Sequence, residues 1–249
     1  MEATLINLDK YVVTTQRFRD RHESFAAMNE HIINYKWIYG PDAKDYVDSQ
    51  SIHNEFPHYV DSNLPWRKSI ICNALSHYSL IKECAEGNKI MTIMEDDAVL
   101  VEDFDQKAMN LINSLPDSDF DLIQWGWNWD VFVFIKDNTG AATKIDWSGR
   151  YLREDPLEFK KSDSESNLEP LLHTFGSHCY SLTPQGARKL LNFIPVIQDI
   201  WVDNTELTGI AYRAITFDGV FNAFYPKLKS FISIAPLSFV TNDKSTSVL

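Results

Sequence analysis

IMTIMEDDAVL, residues 90–100, is a short apolar run that stops in three consecutive acids, Glu95, Asp96 and Asp97. The run reads as a buried strand whose carboxyl end opens into a polar site. Adjacent like charges repel, so an uncompensated cluster at the edge of a core costs stability. A divalent cation removes that cost, because carboxylate oxygens are the preferred ligands of Mg²⁺, Ca²⁺ and Mn²⁺. Strand alternation sends Glu95 and Asp97 to one side and Asp96 to the other. That arrangement suits a metal carrying a phosphorylated substrate. The plain alternative is a solvated turn.

Outward from this stretch, strands and helices alternate. Upstream, Ile70, Ile71, Ala74, Leu75, Tyr78, Ile81 and Ala85 predict a helix over 68–86 with a wide apolar stripe, stopped by Gly87. Residues 4–8 read as a first strand, and residues 35–39 as a second one closed by Gly40-Pro41. Between them a loop leads into a helix marked by Phe18, Phe25, Met28 and Ile32. Residues 41–66 read as loop with one helical turn. Downstream, a helix is expected over 103–114 and a strand over 120–124. This order predicts an α/β fold with a mainly parallel central sheet flanked by helices, ligands sitting beyond the carboxyl ends of its strands.

The remainder is less regular. Residues 125–135 are aromatic and strand-like, whereas 137–171 show no sustained period and read as a mobile loop insertion, either a lid or a solvated excursion. Residues 173–182 return to strand character, and Thr183-Pro184 opens a helix with Ala187, Leu190, Leu191 and Ile194 on its buried face. Residues 199–214 are ambiguous, 228–235 read as a late strand, and TNDKSTSVL, residues 241–249, as a frayed tail.

Composition narrows the function. With 249 residues, 44% of them hydrophobic, the chain has enough apolar side chain for a sizeable core in a single domain. A formal charge of −12 argues against nucleic acid and anionic membrane as partners, since both need a positive field. Three widely spaced cysteines, an odd number, point to a reducing compartment. There is no transmembrane run, and MEATLINLDKY lacks the pattern of a signal peptide, so a cytoplasmic enzyme is expected. No Rossmann or Walker glycine loop, zinc quartet or EF-hand is present. His77, His173 and His178 each read as either structural or site-facing. Trp125, Trp127 and Trp129 alternate with period two, giving either a sugar-stacking platform or core packing. Arg17, Arg19 and Arg21 read as a solvated helix start from which one arginine could reach a diphosphate.

These segments together resemble glycosyltransferase family 25, the group of bacterial lipooligosaccharide and collagen galactosyltransferases. Ile6-Asn7-Leu8 is similar to the family's opening "INL" strand, and Leu75-Ser76-His77-Tyr78 to its "LSH" helix. Met94-Glu95-Asp96-Asp97 resembles the "EDD" motif, and Asp121-Leu122-Ile123 with Gly126 the "DLI-x-x-G" strand. Tyr180 with Gly186-Ala187-Arg188-Lys189-Leu190-Leu191 resembles the "GA-x-K-LL" segment. The chain departs from the family at Ser69–Asn73, where a glycine-rich entry is usual, and it lacks a clean "P-V-D" motif, for which Phe217-Asp218-Gly219 is the best match.

The resemblance implies a GT-A-like fold, with 1–126 as the nucleotide-sugar-binding half and 127–240 as the acceptor-side half. It implies transfer of a hexose, galactose, from a UDP-sugar to a glycan or lipooligosaccharide acceptor with inversion. Glu95 and Asp97 would hold Mn²⁺ or Mg²⁺, while Asn7, Ser76, His77 and Asp96 would lie at the donor. Asp218 is the candidate catalytic base, with Asp199 and Asp203 as competitors. A lipid-linked acceptor would bring the enzyme to the inner face of the membrane as a peripheral protein. Two other readings of the same residues are a metal-dependent phosphoesterase and a non-catalytic carbohydrate-binding scaffold.

Overall fold

The computed structural model describes residues 8–128, 132–145 and 156–240. The first half runs β1 (Leu8–Thr14), α1 (Arg19–Met28), β2 (Tyr35–Tyr39), α2 (Ser49–Glu55), α3 (Lys68–Glu86), β3 (Ile90–Glu95), β4 (Ala98–Leu100), α4 (Phe104–Ser114) and β5 (Leu122–Gln124). Next come β6 (Val133–Lys136), β7 (Ala142–Ile145), α5 (Pro156–Lys160), β8 (Asn167–His173), β9 (Cys179–Leu182) and α6 (Pro184–Phe193). The last segments are β10 (Trp201–Asn204), α7 (Thr205–Thr208), β11 (Ile210–Arg213), α8 (Phe217–Phe221), β12 (Ser230–Ile234) and β13 (Ser238–Val240).

Among the described residues, nine strands form one sheet in the order β2-β1-β3-β9-β5-β12-β8-β6-β7. β1, β2 and β3 are parallel, β9 is antiparallel to both β3 and β5, and β12 is parallel to β5. β8 runs against β12 and β6, and β7 against β6. Six of the nine strands therefore point one way, with β9, β8 and β7 reversed. This is the expected GT-A-like α/β architecture with a mainly parallel sheet. Two short antiparallel ribbons, β10–β11 and β4–β13, sit outside it.

The strand period of two explains why the sheet is buried on both faces. In β1, Tyr11 and Val13 enter one core with α3 and α6, while Leu8 and Val12 enter the other with α1 and α4. In β3, Met91 and Ile93 go one way and Met94 the other. α6 starts as expected, the Thr183 hydroxyl accepting the Gly186 N–H at 3.0 Å with Pro184 in the first turn.

Several boundaries differ from the expectation. Residues 9–14, read as loop, form most of β1, because YVV feeds both cores rather than one. Residues 41–66 hold a two-turn helix, α2, started by a reciprocal cap between Asp48 and Ser51. The 137–171 stretch read as a mobile loop contains β7, α5 and part of β8, and β8 pairs on both edges inside the sheet. Its alternation is weak in sequence because long-range pairing, not local pattern, makes it a strand. Among the described residues of 125–135, only the end is strand. Trp125 and Trp127 are both buried, in opposite cores, so neither is a stacking platform, and Trp129 lies outside the described residues. Gly126 between them is required by close approach: a Cβ there would sit 2.0 Å from the Ser238 carbonyl oxygen.

Candidate active site

The carboxyl ends of β1, β2 and β3 open into a cleft of about 600 Å³, where a doubly covered sheet places its ligands. Thr14 and Thr15 come from β1, Pro41 and Asp42 from the end of β2, and Glu95, Asp96 and Asp97 from the end of β3. α3 adds Asn73 and Ser76, the β8–β9 connection adds Gly176, Ser177 and His178, and α8 adds Phe217 and Asp218. Gly176 sits at φ +113°, and a Cβ there would meet the Asn128 backbone N at 2.9 Å.

β3 ends at Glu95, and Asp96-Asp97 form a turn into β4. Strand alternation therefore does not run through the triplet, and all three acids line the same cleft. Each carboxylate has different partners. Glu95 Oε1 accepts from the Ser177 hydroxyl at 2.7 Å and meets His77 Nε2 at 3.1 Å. Asp96 accepts from the Thr14 hydroxyl at 2.5 Å and pairs with Arg21. Asp97 Oδ2 lies 2.9 Å from the same guanidinium, whereas its Oδ1 is buried without a partner. Arg21, on the first turn of α1, thus already offsets part of the repulsion that the sequence reading assigned to a metal.

The electrostatics separate the three acids. Burial would raise Glu95, but the hydrogen bonds and attraction of His77 and the Ser177 hydroxyl win and hold it well below the usual carboxylate range. Burial raises Asp96 despite Arg21 and Thr14. Burial, then the Glu95 charge, pushes Asp97 up to about 7 against the pull of Arg21. One carboxylate is thereby kept ionised beside another that Arg21 compensates only in part.

The other expected site residues are distributed as follows. Ser76 lines the cleft, but its hydroxyl donates to the Cys72 carbonyl at 2.9 Å. His77 is fully buried behind Glu95, its Nδ1 3.1 Å from the Tyr180 hydroxyl and its ring stacked against Tyr180 and Phe217. Asp218 lines the cleft and accepts the N–H groups of Gly176 and Gly219, each at 2.9 Å. Its competitors do not line that cleft: Asp199 pairs with Arg213, and Asp203 caps Thr205. Asn7 lies outside the described residues. Thr14 and Ser177 were missed as members of the site, and Arg21, one of three arginines of which one was expected to reach a diphosphate, instead meets Asp96 and Asp97. For Thr14 the signal was the strand end beside the arginine run, hidden by reading 9–14 as loop; residues 4–7 of the expected first strand lie outside the described residues.

Among the described residues, no three His, Cys, Asp or Glu side chains form a metal ligand set. What fits a hard cation is narrower: Asp97, which lines the cleft and has one buried oxygen without a partner, and Glu95, which lines the same wall. Further ligands would have to come from a diphosphate and water.

The family model for glycosyltransferase family 25 (LPS biosynthesis protein) matches residues 7–205. The chain belongs to glycosyltransferase family 25. Among curated proteins, none matches it. The match ends before α8, β12 and β13, so Asp218 lies beyond it. The motifs that carried the resemblance touch one another in this glycosyltransferase. His77 of "LSH" holds Glu95 of "EDD" and is itself held by Tyr180. Asp121 of "DLI" pairs with Lys189 of "GA-x-K" at 2.7 Å. Much of the family pattern is therefore scaffolding behind the cleft.

His173 is buried outside that cleft, with Nδ1 2.7 Å from the Asn204 side-chain amide, and burial pushes its ring down to about 4. A histidine lowered from 6.5 supports the fold fully above 6.5, and its contribution is lost as pH falls toward 4, because the unfolded chain takes the proton first. His173→Gln is therefore expected to remove on the order of 2–3 kcal/mol of the stability lost between these pH values. Urea midpoints of both proteins at pH 7 and pH 4.5 check this, and parallel pH profiles would contradict it.

Proposed function

We propose that this glycosyltransferase transfers galactose from a UDP-hexose donor to a glycan acceptor of the lipooligosaccharide type, with inversion and with the help of Mn²⁺ or Mg²⁺. The observation that carries the reading is Asp97, with one unpartnered oxygen, beside Glu95 in a cleft at the carboxyl ends of three parallel strands. Asp97 and Glu95 would hold the ion, which when bound neutralises charge on the departing diphosphate. His77 and Ser177 keep Glu95 ionised and fixed in direction. Arg21 adds fixed positive charge at the same wall. Asp218, oriented by two backbone N–H groups, would take the proton of the acceptor hydroxyl. The choice of galactose and UDP follows the family. Among the described residues, no helix is long and apolar enough to cross a membrane.

A phosphoesterase with two metals would need a further cluster of ligands, and none is formed among the described residues. The test is a UDP-galactose assay with and without Mn²⁺, paired with UDP-dependent thermal stabilisation. Asp218→Asn is expected to lower transfer by about 10²–10⁴-fold while UDP still stabilises the protein. Normal turnover in the variant would remove Asp218 from the chemistry. A wild-type protein that no nucleotide stabilises would favour the scaffold reading.

A further inference from the structure

The geometry points to the outer face of the β10–β11 hairpin as the acceptor-binding surface, on which Trp201 stacks against a sugar ring of a saccharide chain leaving the cleft. This rests on the cleft being the transfer site. The hairpin has two faces set by strand alternation. Val202, Asn204 and Ala214 are buried, whereas Trp201 is 64% exposed and Ile215 65% exposed. Trp201 lies directly across from Arg213 in the register, so the two side chains share the outer face, and Ile215 follows two residues on. Among the described tryptophans, Trp66, Trp125 and Trp127 are buried and Trp37 is half-buried, so Trp201 stands apart in its exposure.

The ribbon is continuous with the cleft. The Ala214 N–H donates to the Ile200 carbonyl at 2.9 Å, which extends the pairing one rung beyond Arg213. Extended Thr216 follows, then Phe217 and Asp218, and all three line the cleft. Arg213 lies three residues before Thr216 at that rim, a span of at most roughly 10 Å of chain. A bound saccharide with one hydroxyl at Asp218 would place its next rings along this strip. Sugar rings present apolar C–H faces that suit an indole and hydroxyl edges that suit Arg213, which Asp199 holds in place. The net charge of −12 disfavours an anionic bilayer as the occupant.

The test uses the full chain on an array of immobilised bacterial core oligosaccharides, with UDP-galactose hydrolysis by water measured in parallel. Trp201→Ala is expected to weaken glycan binding about tenfold, and Trp201→Phe to keep most of it, with hydrolysis unchanged in both. Equal binding by W201A and wild type overturns the inference, as does a wild type that retains no glycan. Loss of vesicle binding in W201A without loss of glycan binding makes the strip a membrane contact and overturns it too. Absence of hydrolysis in the wild type counts against the donor reading alone, because the array still decides the role of Trp201.

Discussion

Asp97→Asn is expected to cut metal-supported transfer from UDP-galactose by at least about 10²-fold while leaving the protein as stable as the wild type or more so. The two effects have one origin. Asp97 carries a carboxylate that the fold leaves without full compensation, since one oxygen meets Arg21 and the other meets nothing. Its value is pushed up to about 7, so the cost of ionising it is present above that pH and is lifted as pH falls toward the ordinary value of 3.8. The amide removes the charge but not the shape. The stability gain should thus be largest at pH 8 and shrink by pH 5, which thermal unfolding at the two pH values reads directly. Activity that survives the substitution would eliminate Asp97 as a ligand. A marked drop in stability would show that its charge serves the fold instead.

His77→Ala should give the largest loss of stability, on the order of 3 kcal/mol in urea unfolding at pH 7. The ring is wholly buried between Tyr180 and Phe217, so truncation opens a cavity that the packed aromatics cannot close easily. It also strips Glu95 and the Tyr180 hydroxyl of a partner. Glu95 would then rise toward the ordinary carboxylate range, because the attraction that outweighs its burial is gone. A change under about 1 kcal/mol would mean that the Glu95–His77 contact contributes little to folding.

The sequence was legible where one local pattern decided the outcome. The α3 boundaries, 68–86, follow from an apolar stripe ended by glycine, and the acid triplet marks the end of β3 because an abrupt change of polarity at a strand end has few other causes. β8 was not legible, since its pairing partners come from distant segments. The partners of the acids were hidden for the same reason. Nothing local ties Arg21 to Asp96, and Ser177 reaches Glu95 only because a connection at positive φ turns back into the cleft. His77, expected at the donor, sits one layer deeper than that, since a histidine on a buried helical face can serve a carboxylate without touching a ligand.

The position of β12 has a consequence for how the chain reaches this state. Residues 230–234 form a strand that wedges between β5 and β8, both of which leave the ribosome far earlier. Until that late strand arrives, β5 keeps a bare edge beside the β9 pairing it can already make. No nascent fragment that stops before residue 230 can close the nine-stranded sheet, so the sheet is completed by a strand made long after its neighbours rather than growing outward from the first.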